Sequence, residues 1–410
     1  AGLEGIEFYY DQLLKGPHIN FTVFKDALGN SFSAKPEPSA NNRGHDLILT
    51  IDSNIQYITE RALQEASDQY SALSALAIVM QPSTGAILSM AHCPHINPNT
   101  YSDSDKSLWR NRAVTDSFEP GSTMKIFSAA AALEYGESTP SSIFYCENGA
   151  YQIGKNVVHD IHKRGWLSLQ NIIKFSSNIG AVKIGEKVGA KNLYRALRNF
   201  GFGRKTGIDF PGETTGSLAD YASWSKIDTG AISFGHGVSA SAIQMVTAVS
   251  AIANDGILMK PYIVQQIVNQ NGHPVRRFEP QKVRRAISAH TATIVKNIMK
   301  TVVTEGGTGV NAAIEGYSVG GKTGTSRKLD KNGQYSNNRH TASFIGFTPA
   351  DNPEIAIIVV IDEPKGQYYG GLVAAPVFKQ IAQQTLNYLN VPPDGGTTKF
   401  RVFLGSEVQG

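Results

Sequence analysis

The stretch Phe118-Glu119-Pro120-Gly121-Ser122-Thr123-Met124-Lys125 decides how this chain is read. Ser122 and Lys125 stand three residues apart, a spacing that places both side chains on one face of a helix. Pro120 and Gly121 mark a helix start, and an apolar, Ala-rich run from Ile126 to Leu133 carries it forward until Gly136 supplies a stop. The expected geometry sets a hydroxyl in the first turn of a helix, one turn from an amine that can take its proton. That is a nucleophile with its base, and it needs no histidine.

Spacing alone proves little, because Ser223-x-x-Lys226 repeats it. That copy, in Tyr221-Ala222-Ser223-Trp224-Ser225-Lys226, shows no helix start and no apolar continuation and reads as neutral. A second polar group, Ser176-Ser177-Asn178, ends an apolar helical pattern of Leu169, Ile172 and Ile173 that begins near Ser168. Consecutive Ser, Ser and Asn favour a turn or helix end, and a plain C-terminal cap is the bland alternative. Ser-x-Asn also recurs at Ser39 and Ser336, in loops. A third group, Lys322-Thr323-Gly324-Thr325, follows Gly320-Gly321 on an expected strand. Its glycines allow close backbone approach, Lys322 brings a cation, and Thr323 and Thr325 share a face. Such an edge can pair with an extended peptide and hold a carboxylate. The second Lys-Thr-Gly, Lys205-Thr206-Gly207, sits among loop signals and reads as structural.

The bulk properties narrow the field. With 410 residues, 41% hydrophobic and 18% charged, the chain is an ordinary globular protein able to bury a large core. Net charge is +4, and the charges are scattered. The densest basic cluster, Arg276, Arg277, Lys282, Arg284 and Arg285, is interrupted by Glu279 and Pro280. It reads as a solvated face or turn, not a nucleic-acid patch. Cys93 and Cys146 have neither metal-ligand spacing nor a C-x-x-C, and whether they pair is open. The ten histidines form no H-E-x-x-H array, so no metal site is expected. No apolar run approaches the roughly 18 residues of a membrane span, and no signal peptide is evident. The chain starts at Ala1-Gly2 without a methionine, as a processed or recombinant piece would.

The order of elements points to an α+β fold. Residues 1–45 are short polar segments with turn signals and an expected strand at Phe21–Phe24 entering a hairpin at Gly29-Asn30. They are too few for a core of their own, so they should brace the main body or belong to a truncated domain. From Asp46 follow a strand at 47–51, a helix from Ile55 to Tyr70 capped by Asp52 or Ser53, and a hairpin of strands at 75–80 and 86–90 around Pro82–Gly85. A mostly helical stretch covers about 122–255 and includes a helix at 240–253. A strand pair at 262–268 and 276–278 turns at Asn271-Gly272, and an amphipathic helix covers 291–303. Strands then lead through 317–325, 342–347 and 354–361, and a helix covers 374–389. Short joints favour antiparallel neighbours. The expected architecture is one central antiparallel sheet closed by both chain ends, flanked by helices, with a helical subdomain inserted.

Taken together, S-x-x-K, S-x-N and K-T-G are the trio of penicillin-binding proteins and serine β-lactamases. The match extends through Gly2–Glu7, Leu49-Thr50-Ile51-Asp52, Thr84-Gly85, Asn111-Arg112-Ala113, Phe210-Pro211-Gly212-Glu213, Ser233-Phe234-Gly235-His236-Gly237 and Val360–Pro364, in order along most of the chain. The chain resembles a class B penicillin-binding protein, a D,D-transpeptidase, most like the division-type septal enzyme (penicillin-binding protein 3 type). The resemblance implies a transpeptidase fold, with residues 1–45 the remnant of an N-terminal pedestal, 46–392 the penicillin-binding domain and 393–410 a tail. It implies that Ser122 attacks the D-alanyl-D-alanine carbonyl of a peptidoglycan stem peptide, or a β-lactam. Lys125 would be its base, Ser176 would relay a proton, Asn178 would position the substrate amide and Lys125, and Lys322 would supply positive field. Thr323, Gly324 and Thr325 would bind substrate, the two threonines at its carboxylate. Backbone N–H groups of Ser122 and Thr325 would form an oxyanion hole. No metal or organic cofactor is implied. Partners would be stem peptides, β-lactams, a membrane glycosyltransferase and divisome proteins, with no nucleic acid. The catalytic domain would face the periplasm from the bacterial cytoplasmic membrane, on an anchor absent from this sequence. Gln81 and Met124 depart from the residues usual there.

Two same-fold alternatives are a serine β-lactamase and a β-lactam sensor. A class A β-lactamase needs a glutamate that activates water. The candidate is Glu213, whose Pro-Gly-Glu setting lacks the expected pattern. A third alternative is an idle scaffold that uses the groove only to bind peptide.

Overall fold

The computed structural model describes residues 2–16, 28, 43–330 and 332–394. The hairpin expected at Phe21–Asn30 lies outside the described residues, Leu28 apart.

The run Ile355-Ala356-Ile357-Ile358-Val359-Val360-Ile361 explains the core. Strands buried on both faces read as unbroken apolar runs, and every residue of strand Ile355–Asp362 is buried. It is the middle strand of a five-stranded antiparallel sheet ordered Gly320–Leu329, Tyr335–Thr348, Ile355–Asp362, Ser74–Met80, Ile87–Cys93. The joints between the three C-terminal strands are short, and all neighbours are antiparallel. Side chains alternate between faces. Ile355, Ile357, Val359 and Ile361 enter one core with Ile55, Leu63, Val373 and Phe378. Ala356, Ile358 and Val360 enter a second core with Phe127, Met245 and Val249. The first face is covered by helices Ser53–Tyr70 and Gly370–Tyr388, the second by Ala242–Ala253. All twelve residues of Ala242–Ala253 are buried, as a helix apolar on all sides demands.

Local signals act as expected at many ends. Asp52 caps Ser53–Tyr70 through the N–H groups of Asn54 and Ile55. Gln81 works in the hairpin turn, where its side chain accepts from the Thr84 hydroxyl at 2.7 Å. Met124 is fully buried in the core.

Some expectations need correction. The stretch 122–255 is not helical throughout. Ile143–Tyr145 pairs with Trp166–Ser168, and Ala150–Ile153 pairs with Asn156–His159. The second hairpin turns at Gly154, with φ +60°, a turn signal inside an alternating segment. Ser223-x-x-Lys226 does have a helix start: Ser225 and Asp228 form a capping box for Lys226–Ser233. Strand Asp46–Leu49 does not join the main sheet; it pairs with Val264–Val268, which pairs with Pro274–Arg277. The basic cluster lies on exposed strands Pro274–Arg277 and Lys282–Arg285. Residues Gly5–Leu14 form two short helices on that small sheet, where Tyr10, Ile6, Leu13 and Leu14 pack on Val264 and Ile267. Cys93 and Cys146 are both free and buried.

Candidate active site

Ser122 stands in a 3-10 turn, Gly121–Met124, that runs into helix Lys125–Glu134. Met124 points into the core, and the Thr123 hydroxyl returns to Pro120 O at 2.8 Å. The two inward anchors leave Ser122 half-exposed. The Gly121 N–H donates to Gly235 O, and Gly235 has φ +90°. A Cβ at Gly235 would lie 2.1 Å from Gly121 O, so only glycine lets these two segments meet. Just upstream, the Glu119 carboxylate accepts from the Gly237 N–H at 2.9 Å and the Tyr335 hydroxyl at 3.1 Å, and meets His236 Nδ1 at 3.0 Å. These groups hold Glu119's pKa below its usual range against the opposing effect of burial. The nucleophile turn is thus clamped to the 234–237 loop and to the start of strand Tyr335–Thr348.

Lys125 and Lys322 lie fully buried, and both amines meet Ser176. Lys125 Nζ donates to Ser176 O at 2.6 Å, to Ser176 Oγ at 3.2 Å and to Asn178 Oδ1 at 2.7 Å. Lys322 Nζ reaches Ser176 Oγ at 3.0 Å and Thr323 O at 3.1 Å. Burial disfavours the charged form and brings the Lys125 pKa down to about 7, with the negative Asp160 opposing the shift. Lys322 is also lowered, first by burial and then by the charge of Lys125. Near neutrality, therefore, Lys125 is poised between amine and ammonium. No hydrogen bond joins Lys125 Nζ to the Ser122 hydroxyl; in this state the amine is turned to Ser176 and Asn178. Catalytic hydrogen bonds often tighten only when substrate is present.

Ser176 is the C-cap of helix Leu169–Phe175, in the left-handed region at φ 60°. Ser177 is the N-cap of the next helix, Asn178–Val188, and accepts from Gly180 N at 2.9 Å. The tight helix-to-helix turn directs Ser176 and Asn178 to one amine. Asp160 secures it from outside. Its Oδ1 accepts from the N–H groups of Asn178 and Ile179, and its Oδ2 accepts from the Ser177 hydroxyl at 2.6 Å. The Asn178 side-chain amide donates to His159 O at 2.9 Å, which leaves Oδ1 for Lys125.

The Lys-Thr-Gly-Thr segment lies on the edge strand of the sheet, Gly320–Leu329. A Cβ at Gly324 would lie 2.9 Å from Thr123 Cγ2 and 3.1 Å from Pro120 O, so glycine brings this edge against the nucleophile turn. Thr323 Oγ1 meets Thr308 Oγ1 at 3.0 Å, and Thr325 Oγ1 accepts from the Gly370 N–H at 3.0 Å, which leaves its own proton free to donate. Between this edge and the helical side runs a cleft of about 510 Å³. Ser122, Ser176, Asn178, Thr323 and Thr325 line it, and the two lysines lie under its floor.

All the residues singled out by sequence therefore converge, and the decoys do not. Ser223 is exposed, with its hydroxyl on Asp220 O. Lys205-Thr206-Gly207 is held by Glu213, whose carboxylate accepts from Thr206 N and Oγ1, both at 2.6 Å, and from Gly207 N at 3.1 Å. The candidate water-activating glutamate is thus consumed in a loop and lines no part of the cleft. Sequence reasoning missed Asp160, Thr308 and the Glu119–His236–Tyr335 contact. Glu119 lies inside the opening stretch, but its partners Gly237 and Tyr335 are 118 and 216 positions away, with His236 next to the first.

Comparison with known proteins gives the family. Residues 75–383 match the family model described as the penicillin binding protein transpeptidase domain. The chain is 37% identical over 395 residues to "Probable peptidoglycan D,D-transpeptidase PenA" of Neisseria flavescens, covering 96% of this chain and 95% of that protein. It is 39% identical to stage V sporulation protein D of Bacillus subtilis, covering 96% of this chain but 61%, less than two thirds, of that protein. The structure of penicillin binding protein 3 from Mycobacterium tuberculosis complexed with ampicillin superposes with a TM-score of 0.84 at 30% identity, covering 97% of this chain and 87% of that one.

Proposed function

The chain belongs to the penicillin-binding protein transpeptidase family, and from that premise we propose that it is a peptidoglycan D,D-transpeptidase working through a serine acyl-enzyme. The observation that carries this reading is the chain Lys125–Ser176–Lys322, two buried amines on one hydroxyl beneath a cleft that exposes Ser122. Neutral Lys125 takes the Ser122 proton as Oγ attacks the carbonyl between the last two D-alanines of a stem peptide. The C–O bond forms, the C–N bond breaks, and the leaving D-alanine amine receives a proton relayed through Ser176. An acceptor amine then attacks the ester and regenerates Ser122. Lys322 supplies positive field, Asn178 positions Lys125 and the substrate amide, and Thr323, Gly324 and Thr325 hold the substrate's terminal carboxylate region. The oxyanion donors are the backbone N–H groups of Ser122 and Thr325. A β-lactam follows the same first step, and Glu213, whose carboxylate is taken up by the Thr206 loop, does not line the cleft to activate a deacylating water, which supports a lasting adduct.

The septal role, the partnership with a membrane glycosyltransferase and divisome proteins, and a placement on the outer side of the bacterial cytoplasmic membrane are parts of the same proposal. Their support is the family resemblance, since no helix among the described residues is long and apolar enough to cross a membrane. So is the division into a pedestal remnant at 1–45, a catalytic body at 46–392 and a tail at 393–410.

Intact-mass analysis after incubation with a fluorescent penicillin tests the central claim. A one-to-one adduct on Ser122 that lasts many minutes is expected, absent in Ser122→Ala and kept in Ser223→Ala. Rapid turnover would indicate a β-lactamase, and no adduct would indicate a binding scaffold.

A further inference from the structure

The cleft wall carries a cation that the acylation chemistry leaves unused. Arg164 lines the cleft together with Ser122 and Ser176, just ahead of strand Trp166–Ser168. Its guanidinium carbon lies 3.9 Å from the centre of the Phe175 ring, and Phe175 lines the same cleft. Stacking on an aromatic face holds a guanidinium in place and leaves its N–H edge open to a ligand. Phe175 ends helix Leu169–Phe175 and immediately precedes Ser176. Arg164 is therefore seated against the turn that carries Ser176 and Asn178.

This cation has no protein counter-charge. Among the described residues Arg164 makes no ion pair, and its guanidinium makes no hydrogen bond. Asp160 is the one carboxylate among the cleft-lining residues, and it is spent on Ser177, Asn178 and Ile179. Lys174 brings a second cation within 5.8 Å of the Phe175 ring centre, also without an ion pair among the described residues. Nearby Lys183, by contrast, is paired with Glu147. Positive charge gathered on the wall of a cleft attracts anions. A planar fork of donors favours a carboxylate, which it can hold through two parallel hydrogen bonds. Position along the cleft indicates which carboxylate. The substrate's terminal carboxylate is assigned to Thr323 and Thr325 on the edge strand, whereas Phe175 and its arginine belong to the helical wall. With the scissile carbonyl at Ser122, the donor's upstream residues are left to meet that wall.

We propose that Arg164, seated on Phe175, is a specificity subsite for a second carboxylate of the donor peptide, carried by an acidic residue upstream of the scissile bond. It selects acidic over neutral donors and takes no part in the bonds that form and break. This inference rests on the transpeptidase reading, because it presumes a peptide acyl donor at Ser122.

Two penicillins on one scaffold test this. One carries a carboxylate on its acylamino side chain, which stands for the donor's upstream residues, and the other carries the matching carboxamide. The readout is the ratio of their second-order acylation rates, followed by intact mass. In the wild type the carboxylate probe should react faster. Its advantage should shrink as salt rises from about 0.05 M to about 0.5 M, since added ions screen a partly exposed charge. Arg164→Gln should lower the ratio about tenfold. Arg164→Lys keeps the charge but loses the planar fork, and should lower the ratio by about threefold. An Arg164→Gln variant that slows both probes equally, with the ratio unchanged, would overturn the proposal and leave Arg164 a packing residue on Phe175. A wild-type ratio of one or less at low salt would overturn it too, and that arm serves if the glutamine variant does not fold. No adduct with either probe in the wild type would sink the transpeptidase reading instead, so the two failures are distinct.

Discussion

Lys125 shows how much a single side chain's setting decides. A lysine amine in water is a cation at any physiological pH. Buried beside Ser176 and Asn178, it titrates at about 7. The sign of the consequence follows: acylation requires the neutral amine, so the rate should rise with pH and reach half its plateau near pH 7. A flat profile from pH 5 to 9, roughly the span over which such a group changes state, would contradict Lys125 as the base. Lys125→Arg should be as damaging as Lys125→Ala, because guanidinium does not deprotonate in proteins. Loss of the base predicts acylation lowered about 10²–10⁴-fold in both, measured as penicillin labelling rate.

At the scale of elements, the site exists where three segments meet at close range through glycines on their facing backbones. The turn Gly121–Met124 rests against the 234–237 loop on one side and strand Gly320–Leu329 on the other. Gly235→Ala meets two obstacles at once, a φ of +90° and a Cβ placed 2.1 Å from Gly121 O. The backbone strain alone costs about 1–3 kcal/mol, so both thermal stability and acylation should fall. A variant that kept full acylation would show that the turn does not depend on this contact. Tyr335→Phe removes one donor to Glu119 while leaving the rest of that clamp. It should cost about 1 kcal/mol or less at this partly exposed position and should slow acylation without abolishing it, as a titration of labelling against time would reveal.

Across the whole molecule, stability and chemistry lie in different places. Tyr10 donates to Asp209 Oδ2 at 2.9 Å, and Asp209 accepts from Ile263 N and Val264 N, tying the first helices to the small sheet far from the cleft. Tyr10→Phe should lower thermal stability by about 1 kcal/mol and leave penicillin acylation unchanged; an equal loss in both would mean that the brace transmits to the site. Much of the fold was legible beforehand, because its signals are local. The uninterrupted apolar run 355–361 announced a strand buried on two faces, Asp52 and Ser168 announced helix starts, and the short joint at 349–353 announced antiparallel neighbours. The small hairpins within 143–168 were illegible because three- and four-residue strands carry too little periodicity to be seen against helical surroundings. The sequence by itself singled out the residues of the candidate site, Ser122, Lys125, Ser176, Asn178 and the Lys-Thr-Gly-Thr edge, although the helix-start signal that set Ser223-x-x-Lys226 aside does not separate the two copies, since Ser225 and Asp228 cap a helix there. Only the tertiary structure decided their chemical state. Burial sets the Lys125 amine near neutrality, both amines converge on Ser176, and Asp160 and Glu119 are recruited through hydrogen bonds spanning from 17 to 216 positions. Desolvation and long-range contact depend on what the folded chain brings near, and no stretch of sequence carries that by itself.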